Sequence, residues 1–392
     1  MTLGSLSVKN IGHNWLRTIL TVVGTAIAIL SFVLIRTTLG AWEQGVENAA
    51  QDRLSTINRV TFVMPLPKRY FDEFNGSRGK IDGVKAATFL NWFGAKHPTR
   101  ETEFFANLAV DKDTYFDVYP EMSVPPEDLA RWKENRQGAI IGEALASQFG
   151  WKVGDDVTLT GTIYPGDWKF KVEGIYKATK KSVDRAQFIL RWDYVNDTLP
   201  EDRKNYIGWI ATTIDSASNS GNISAAIDGK FDEQDIQTRT MSERALNMEF
   251  LGGASAILTA LDIVSLVILG IMMLILGNTI AMGVRERTRE YGVLLALGFR
   301  PKHIATFVMG EGITIGLLGG GLGLLISYPI VEQGMGRWLE ENMGAYFPYF
   351  SIPTGVALLA LGMAALLAAV AAVIPAYSAS KLDVIDALRR LG

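Results

Sequence analysis

Residues able to carry out acid–base, metal or phosphate chemistry are few in this chain. The histidines stand far apart at 13, 97 and 303, and there is no cysteine, so no zinc-like cluster is encoded. Asp111, Asp113 and Asp117 are spaced like ligands of a calcium loop, but the glycine and glutamate that would complete such a loop do not follow. No G-x-x-x-x-G-K-S/T run is present to hold the phosphates of ATP. The sequence therefore predicts no catalytic, cofactor-binding or metal-binding residues.

Four long stretches without a charged residue dominate the hydropathy pattern. They cover residues 18–35, 263–284, 312–331 and 351–380, and each is long enough to cross the ~30 Å hydrocarbon core of a bilayer as a helix. One stretch lies near the N-terminus, a long polar segment follows, and the other three lie in the last third of the chain. This 1+3 layout predicts a membrane α-helical protein with one large domain outside the bilayer.

The composition agrees with a chain that is partly embedded in lipid. Hydrophobic residues make up 48% of the sequence, yet 20% of the residues are charged, and all of these lie outside the four apolar stretches. The net charge of −3 does not favour a nucleic-acid partner. A length of 392 residues leaves room for a helical bundle and one soluble domain of one or two lobes.

Basic residues beside the apolar stretches predict the orientation, because lysine and arginine in short loops are retained on the cytoplasmic side. They flank the first stretch, the connection between the second and third, and the end of the fourth: Lys9, Arg17, Arg285, Arg287, Arg289, Arg300, Lys302, Lys381, Arg389 and Arg390. The connection between the third and fourth carries only Arg337. We therefore expect both termini in the cytoplasm and the large domain outside, which in a Gram-negative cell means the inner membrane and the periplasm. The alternative for the first stretch is a cleaved signal peptide, although it is longer than the usual apolar region of one.

These patterns predict the boundaries of each part. An amphipathic helix at 1–15 lies on the cytoplasmic surface of the membrane, and the spans cover 16–39, 254–283, 304–331 and 352–377. The periplasmic domain covers 40–253 and stands on helical stalks, one continuing through Leu54 and the other resuming at Thr240. A cytoplasmic connection at 284–303, a short periplasmic loop at 332–351 and a cytoplasmic tail at 378–392 complete the chain.

Within the large domain, period-two and aromatic-rich segments predict strands separated by turns and helices. The first predicted strand covers 60–64, and later ones include 84–92, 156–160 and 206–214. Strand–helix–strand units stand at both ends of the domain, with a strand-rich insert between them. This arrangement predicts an α+β domain.

The connection between the second and third spans is the most specific segment. A basic first half is followed by an apolar ridge and by residues that end a helix: Val293, Leu294, Leu295, Leu297, Gly298 and Pro301. One interpretation is a solvated loop whose cations only determine the orientation. The other is a docking helix, because four large aliphatic side chains need a partner such as a hydrophobic groove on a cytoplasmic protein.

This connection resembles that of the MacB- and FtsX-like permeases of ABC transporters, the type VII family that includes the lipoprotein-release permeases LolC and LolE. The family pattern is matched by Glu290, Gly292, Ala296 and Gly298, while Leu295 and Phe299 depart from it. The segment 375–390 is similar to the family's C-terminal ending, with Val384 in place of a customary proline. The segment 139–178 resembles the outer-domain signature of MacB-type members.

The resemblance implies a permease without catalytic activity, acting as a homodimer or heterodimer with two copies of a separate ATPase that binds ATP and Mg²⁺. It implies a Porter-like lobe at about 55–110 and 186–240 and a Sabre-like insert at about 111–185. The residues that it implies for coupling to the ATPase are Arg285, Arg287, Arg289, Glu290, Gly292, Leu294, Ala296 and Gly298.

ATP-driven motion would then reach the periplasmic domain by mechanotransmission, for efflux or release of a substrate. A periplasmic adaptor and an outer-membrane exit duct are further partners that the resemblance implies. Two alternatives remain within the family: an FtsX-like regulator that activates a periplasmic cell-wall hydrolase, and a lipoprotein-release permease of the LolC/LolE type. Outside the family, the alternative is a membrane-anchored sensor or enzyme with a ligand-binding outer domain.

Small residues and one carboxylate stand out in the third span. Gly312, Gly316, Gly319, Gly320 and Gly323 include G-x-x-x-G spacings, which allow helices to approach closely in lipid. We expect them to form a dimer interface or an intrachain packing face. Glu311 is either a salt-bridged or snorkelling side chain near the inner membrane surface or a relay to the docking helix.

Overall fold

The computed structural model describes residues 15–47, 50–74, 81–180, 183–253, 255–342, 347 and 349–382. These residues divide into two compact units, with boundaries after residues 41, 253, 337 and 349. We call residues 15–41, 255–337 and 350–382 the helical unit, and residues 42–253 and 338–349 the sheet unit. The predicted surface helix at 1–15 and the predicted tail lie outside the described residues, except for Trp15 and residues 378–382.

The first helix, α1, spans Trp15–Glu47. It contains no proline and is uncharged from 18 to 35, so its backbone hydrogen bonds run without a break. The predicted continuation of this helix beyond the first span is confirmed as far as Glu47, but its extension through Leu54 is wrong, because strand β1 occupies Arg53–Asn58. All six residues of β1 are buried. Its sequence, R-L-S-T-I-N, also breaks the polar–apolar alternation by which a half-buried strand is recognised, because two polar residues stand together.

The described part of the sheet unit contains thirteen strands: β1 Arg53–Asn58, β2 Leu66–Pro67, β3 Val84–Trp92, β4 Ala95–Lys96, β5 Asn107–Val110, β6 Met122–Ser123, β7 Gly138–Gly142, β8 Asp156–Gly161, β9 Gly166–Ala178, β10 Phe188–Arg191, β11 Tyr206–Ile207, β12 Trp209–Ile214 and β13 Thr238–Ser242. Its α-helices after α1 are α2 Arg69–Asp72, α3 Tyr115–Val118, α4 Pro126–Glu134, α5 Glu143–Phe149, α6 Trp192–Thr198, α7 Ser220–Phe231 and α8 Glu243–Gly253. Two short 3₁₀ turns cover Glu201–Arg203 and Ala217–Asn219.

Eleven of these strands form one sheet. Their order is β13-β1-β12-β3-β5-β10-β7-β9-β8-β4, with β6 paired to β9, while β11 and β2 form a separate ribbon. Neighbours are antiparallel except for the parallel pairs β5–β10 and β7–β9. Strands β7, β8 and β9 stand together beyond β10, and Phe188 of β10 pairs with Ile141 of β7. The predicted Porter-like and Sabre-like portions therefore share one hydrogen-bonded sheet.

Both faces of the central sheet are buried. Phe188 and Leu190 of β10 belong to the apolar cluster on one face, whereas Ile189 belongs to the cluster on the other face with Tyr115 and Trp132. Successive side chains of a strand point to opposite faces, so one short strand contributes to both clusters. Helices and loops on each side complete the two layers of core.

Two predicted elements of the sheet unit differ from the structure. The predicted strand at 60–64 is wrong: the segment is irregular, and Val60 and Val63 are 78% and 85% exposed. Valine has high strand propensity, but a strand also requires a pairing partner. The predicted helix resuming at Thr240 begins at Glu243 instead, because Thr240 pairs with Thr56 within the sheet.

The helical unit continues with α9 Ser255–Glu286, α10 Thr288–Ala296, α11 Pro301–Tyr328, a π-helical segment Pro329–Met335, α12 Gly336–Asn342 (which runs on into the sheet unit) and α13 Thr354–Ser380. The segment predicted as a loop at 332–351 is thus partly helical. Within the described residues, four helical stretches are long and apolar enough to cross a membrane: Trp15–Trp42, Ser255–Glu286, Pro301–Glu340 and Thr354–Ser380. These helices and the α+β sheet unit confirm the predicted fold class and its 1+3 layout.

Candidate functional site

Helix α10 lies in the short connection between α9 and α11. It begins after Arg287 and is ended by Gly298, which has a φ of 95°. The amide of Phe299 donates to the carbonyl of Leu294 at 3.1 Å, and the amide of Gly298 donates to that of Leu295 at 3.0 Å. This pair of bonds is a Schellman motif, in which a glycine in the left-handed region satisfies the last carbonyls of a helix. The predicted helix-ending role of Gly298 therefore has a specific geometry.

One face of α10 is anchored within the helical unit. Tyr291 is 2% exposed and contacts the ring of Phe307 edge-on, with centroids 6.4 Å apart. Leu294 and Leu295 pack against the same cluster, which includes Ile304. Gly292 is also buried. Burial raises the pKa of the Tyr291 hydroxyl to about 12, so this side chain stays neutral at physiological pH.

The opposite face of α10 is apolar and exposed. Val293 is 44% exposed, Leu297 is 72% exposed and Phe299 just beyond the helix is 42% exposed. The predicted ridge is therefore divided, because Leu294 and Leu295 already have partners in the same chain. Of the other predicted coupling residues, five are exposed: Arg285, Arg289, Glu290, Ala296 and Gly298.

Arg287 is a buried member of the predicted coupling set. Its Nη1 atom lies 3.0 Å from both carboxylate oxygens of Glu311, and the two side chains are only 10% and 17% exposed. A guanidinium and a carboxylate that share a low-dielectric site stabilise each other strongly relative to either one alone. This pair links the start of α10 to α11. The structure thus brings together two residues that sequence patterns single out separately.

A second ion pair connects other helices of the same unit. The guanidinium of Arg17 in α1 donates to Glu286 at the end of α9 through two nitrogens, one of them at 2.8 Å. A cavity of about 290 Å³ lies between the two ion pairs and is lined by all four of their side chains together with Glu290. Ion pairs therefore connect α1 with the end of α9, and the start of α10 with α11.

The glycines of α11 face other helices of the same chain. A Cβ built at Gly316 would lie 2.5 Å from the Cβ of Ala368 and 2.7 Å from the carbonyl oxygen of Ala364. Gly312 and Gly320 also contact α13, whereas Gly319 and Gly323 contact α1. Small residues on both sides bring helix backbones into direct contact, which stabilises packing in lipid. All five predicted packing glycines are thus occupied by intrachain contacts.

Candidate chemical groups in the sheet unit are engaged in structural contacts. Asp111 accepts a hydrogen bond from Thr114 at 2.6 Å, and the ring of His97 packs on Phe149 and Trp151. Among the described residues, no group of three histidine or acidic side chains is arranged to hold a metal ion. A buried cluster of Arg53, Glu121 and Glu243 was not predicted. Glu121 and Glu243 lie 68 and 190 positions from Arg53 in the sequence, so no local sequence pattern identifies the cluster.

Comparison with known families matches most of the chain. Residues 18–230 match the MacB-like periplasmic core domain, and residues 263–384 match the FtsX-like permease C-terminal domain. An uncharacterized ABC transporter permease of Methanocaldococcus jannaschii is 24% identical over 98% of this chain and 97% of its own length. The macrolide export ATP-binding/permease protein MacB of Psychrobacter cryohalolentis is 25% identical over 96% of this chain, but only 57% of its own length is covered.

One solved structure that the comparison matches is the periplasmic region of MacB from Actinobacillus actinomycetemcomitans. It covers 52% of this chain and 95% of its own chain, with 12% identity and a TM-score of 0.36. The periplasmic core match covers more than half of the sequence, and the permease match covers the last three apolar helices. The chain is a membrane protein with an extracytoplasmic domain and belongs to the MacB- and FtsX-like family of ABC transporter permeases.

Proposed function

We propose that the chain is the permease subunit of a MacB-type ABC transporter in the cytoplasmic membrane, with both termini in the cytoplasm and the sheet unit in the periplasm. In this proposal the subunit has no catalytic role. ATP and Mg²⁺ bind to a separate ATPase, two copies of which act on a permease dimer. A substrate is exported or released on the periplasmic side, with an adaptor and an exit duct as further partners.

The exposed apolar face of α10 is the observation that carries this proposal. Val293, Leu297 and Phe299 are left uncovered by the rest of the chain, on a helix whose other face is anchored through Tyr291 and Leu294. Exposed aliphatic and aromatic side chains on a short, well-anchored helix are typical of a surface that inserts into a groove of a partner. The positions on this face belong to the segment that resembles the ATPase-coupling helix of the family.

The contacts behind α10 support a mechanical role. The Arg287–Glu311 ion pair and the Tyr291–Phe307 contact connect α10 with α11, and the Arg17–Glu286 pair connects α9 with α1. A force on α10 therefore acts on a set of helices rather than on a free loop. Because packed helices move as rigid elements, displacement at one end is carried to the other. We infer that α1 and α9 pass this displacement to the sheet unit, to which α8 belongs.

The test is a single charge on the exposed face of α10. Leu297→Glu places a carboxylate where the proposed groove is apolar, and we expect the affinity for the ATPase to fall at least about tenfold. The control is Val153→Glu, since Val153 is an exposed apolar residue of the sheet unit, at 44% exposure. The full chain in nanodiscs is titrated with the ATPase, and binding and ATP turnover are measured. Wild-type binding and turnover by Leu297→Glu would refute the coupling role of α10.

A further inference from the structure

Three distant segments of the sheet unit meet at the guanidinium of Arg53. Its Nη2 atom lies 2.6 Å from Glu121, and its Nη1 atom lies 3.3 Å from Glu243. The ring of Tyr119 packs against the guanidinium at 4.1 Å, and the Tyr119 hydroxyl donates to Glu243 at 3.3 Å. The side chains of Arg53, Glu121 and Glu243 are 9%, 13% and 21% exposed. The cluster is therefore a largely buried, charge-assisted network.

The three charged residues of this network come from different parts of the chain. Arg53 is the first residue of β1, which follows α1, and Glu243 is the first residue of α8, which precedes α9. Glu121 lies between α3 and β6, in the segment predicted as the insert. Its backbone carbonyl also accepts hydrogen bonds from Thr179 at 2.9 and 3.0 Å, just after β9. One arginine thus contacts the two ends of the sheet domain and the insert.

The electrostatics show that the network depends on Arg53. Burial raises the pKa of the Glu243 carboxyl, and the positive charge of Arg53 opposes this rise. Without Arg53, two carboxylates and a tyrosine hydroxyl would share a buried site with no positive charge among them. Such a site favours uptake of a proton or separation of the segments.

We propose that Arg53 is a positioning residue that couples helix α8 to the insert of the sheet unit, so that displacement of α8 moves residues 119–123. This inference rests on the proposed function, because the displacement would originate at the ATPase. The guanidinium is suited to the task because its planar fork binds two carboxylates at once. A lysine offers only one compact charge and does not bridge both partners with the same geometry.

The first experiment does not require the ATPase. Amide hydrogen exchange of the full chain in nanodiscs is compared for wild type and Arg53→Gln. We expect exchange to increase at least about tenfold both in the first turn of α8 and in residues 119–123, because buried groups lose their partner. Unchanged exchange in either segment would overturn the proposal.

A matched control separates coupling from general loss of a buried arginine. Arg191 is 6% exposed and is paired with Asp193 two residues away and with the carbonyl of Lys133 at 2.6 Å. Arg191→Gln therefore removes an equally buried guanidinium, whose partner Asp193 is 36% exposed and whose ion pair does not join α8 to the insert. We expect its exchange in both segments to stay within about twofold of wild type. A rise equal to that of Arg53→Gln would show that the effect is not specific, and would also overturn the proposal.

The second experiment tests transmission, with the ATPase added. Exchange of residues 119–123 is compared with ATP and with ADP while ATP turnover is recorded. We expect a nucleotide-dependent difference in wild type and in Arg191→Gln, and its loss in Arg53→Gln with turnover within about twofold of wild type. Retention of the difference in Arg53→Gln overturns the role of Arg53. Absence of the difference in wild type instead refutes the proposed function, and with it the transmission role, whatever the first experiment shows.

Discussion

At the scale of single residues, His97 is placed where its ionisation is disfavoured. Its ring packs on Phe149 and Trp151 with centroids 5.3 and 5.9 Å away. Burial, assisted by the nearby charge of Arg100, lowers the pKa of His97 below its ordinary value of 6.5. The unfolded chain therefore binds this proton more tightly than the folded chain does.

This difference predicts a loss of stability in acid. The contribution of neutral His97 is complete above pH 6.5 and is lost as the pH falls through the lower folded-state pKa. His97→Phe keeps an aromatic ring and removes the titration, so its midpoint of thermal unfolding should fall less between pH 7.5 and 5 than that of wild type. Parallel pH profiles of the two proteins would contradict the prediction.

The Arg287–Glu311 pair predicts an asymmetric mutational effect. Removing one partner leaves a largely buried charge, so Arg287→Gln is expected to lower the free energy of unfolding by about 3–5 kcal/mol. The double variant Arg287→Gln with Glu311→Gln should lose less, because no unpaired charge remains. Arg285→Gln, at an exposed position beside it, serves as the control. Unfolding in a detergent titration measures all three, and equal losses in the single and double variants would argue against the pair.

Residue-level prediction from sequence succeeded where the pattern is local. Gly298 follows an apolar helical run, so its role in ending the helix is visible in the sequence. Arg287 and Glu311 each attract attention in a membrane context, but their pairing depends on how α10 and α11 pack. Arg53 carries no signal, because a buried arginine is recognisable only from partners that folding brings to it.

At the scale of elements, part of the contact between α11 and α13 is made of glycine and alanine alone. Gly312, Gly316 and Gly320 face a row of alanines on α13 that is spaced by four residues. This spacing keeps the alanines on one helical face. The helices therefore pack backbone to backbone.

This interface predicts opposite effects for two neighbouring glycines. Gly316→Ala adds a Cβ that would lie 2.5 Å from Ala368, so we expect a loss of about 1–3 kcal/mol from overpacking. Gly321→Ala adds a Cβ with nothing within 4 Å, so helix propensity should make it neutral or stabilising by up to about 1 kcal/mol. Thermal unfolding of the two variants in detergent distinguishes them. Equal midpoints would show that the interface is looser than described.

Helices and strands could be predicted from the sequence where the hydropathy pattern is strong and not where it is weak. Long uncharged runs identify membrane-spanning helices because lipid requires a continuous apolar surface and internal backbone bonding. Strand β1 was missed because it is buried on both faces, and the exposed segment at 60–64 was mistaken for a strand because valine is frequent there. The order of strands in the sheet depends on contacts between distant segments, which composition and periodicity do not encode.

At the scale of the whole molecule, the absence of cysteine allows a direct test of orientation. Glu233→Cys introduces one thiol at an exposed position of the sheet unit, and Lys302→Cys introduces one at an exposed position near α10. In intact spheroplasts, a membrane-impermeant maleimide should label the first variant and not the second. Lysis should make both reactive, and the wild-type chain is the blank. Labelling of Lys302→Cys before lysis would show that the membrane topology is the opposite of the proposed one.

The glycines of α11 also bear on how the gene tolerates change. Every single-base substitution in a glycine codon that changes the amino acid adds at least a Cβ, and the additions range from alanine to arginine and aspartate. At Gly316, Gly319, Gly320 and Gly323 such a Cβ would lie 2.5–2.6 Å from an atom of another helix. At these four codons, every amino-acid change that a single base substitution can cause therefore creates a close contact. At the codon of Gly321, several such changes add a side chain that meets no neighbour at its Cβ. A saturation library of the gene should be depleted of variants at the four codons and permissive at the fifth.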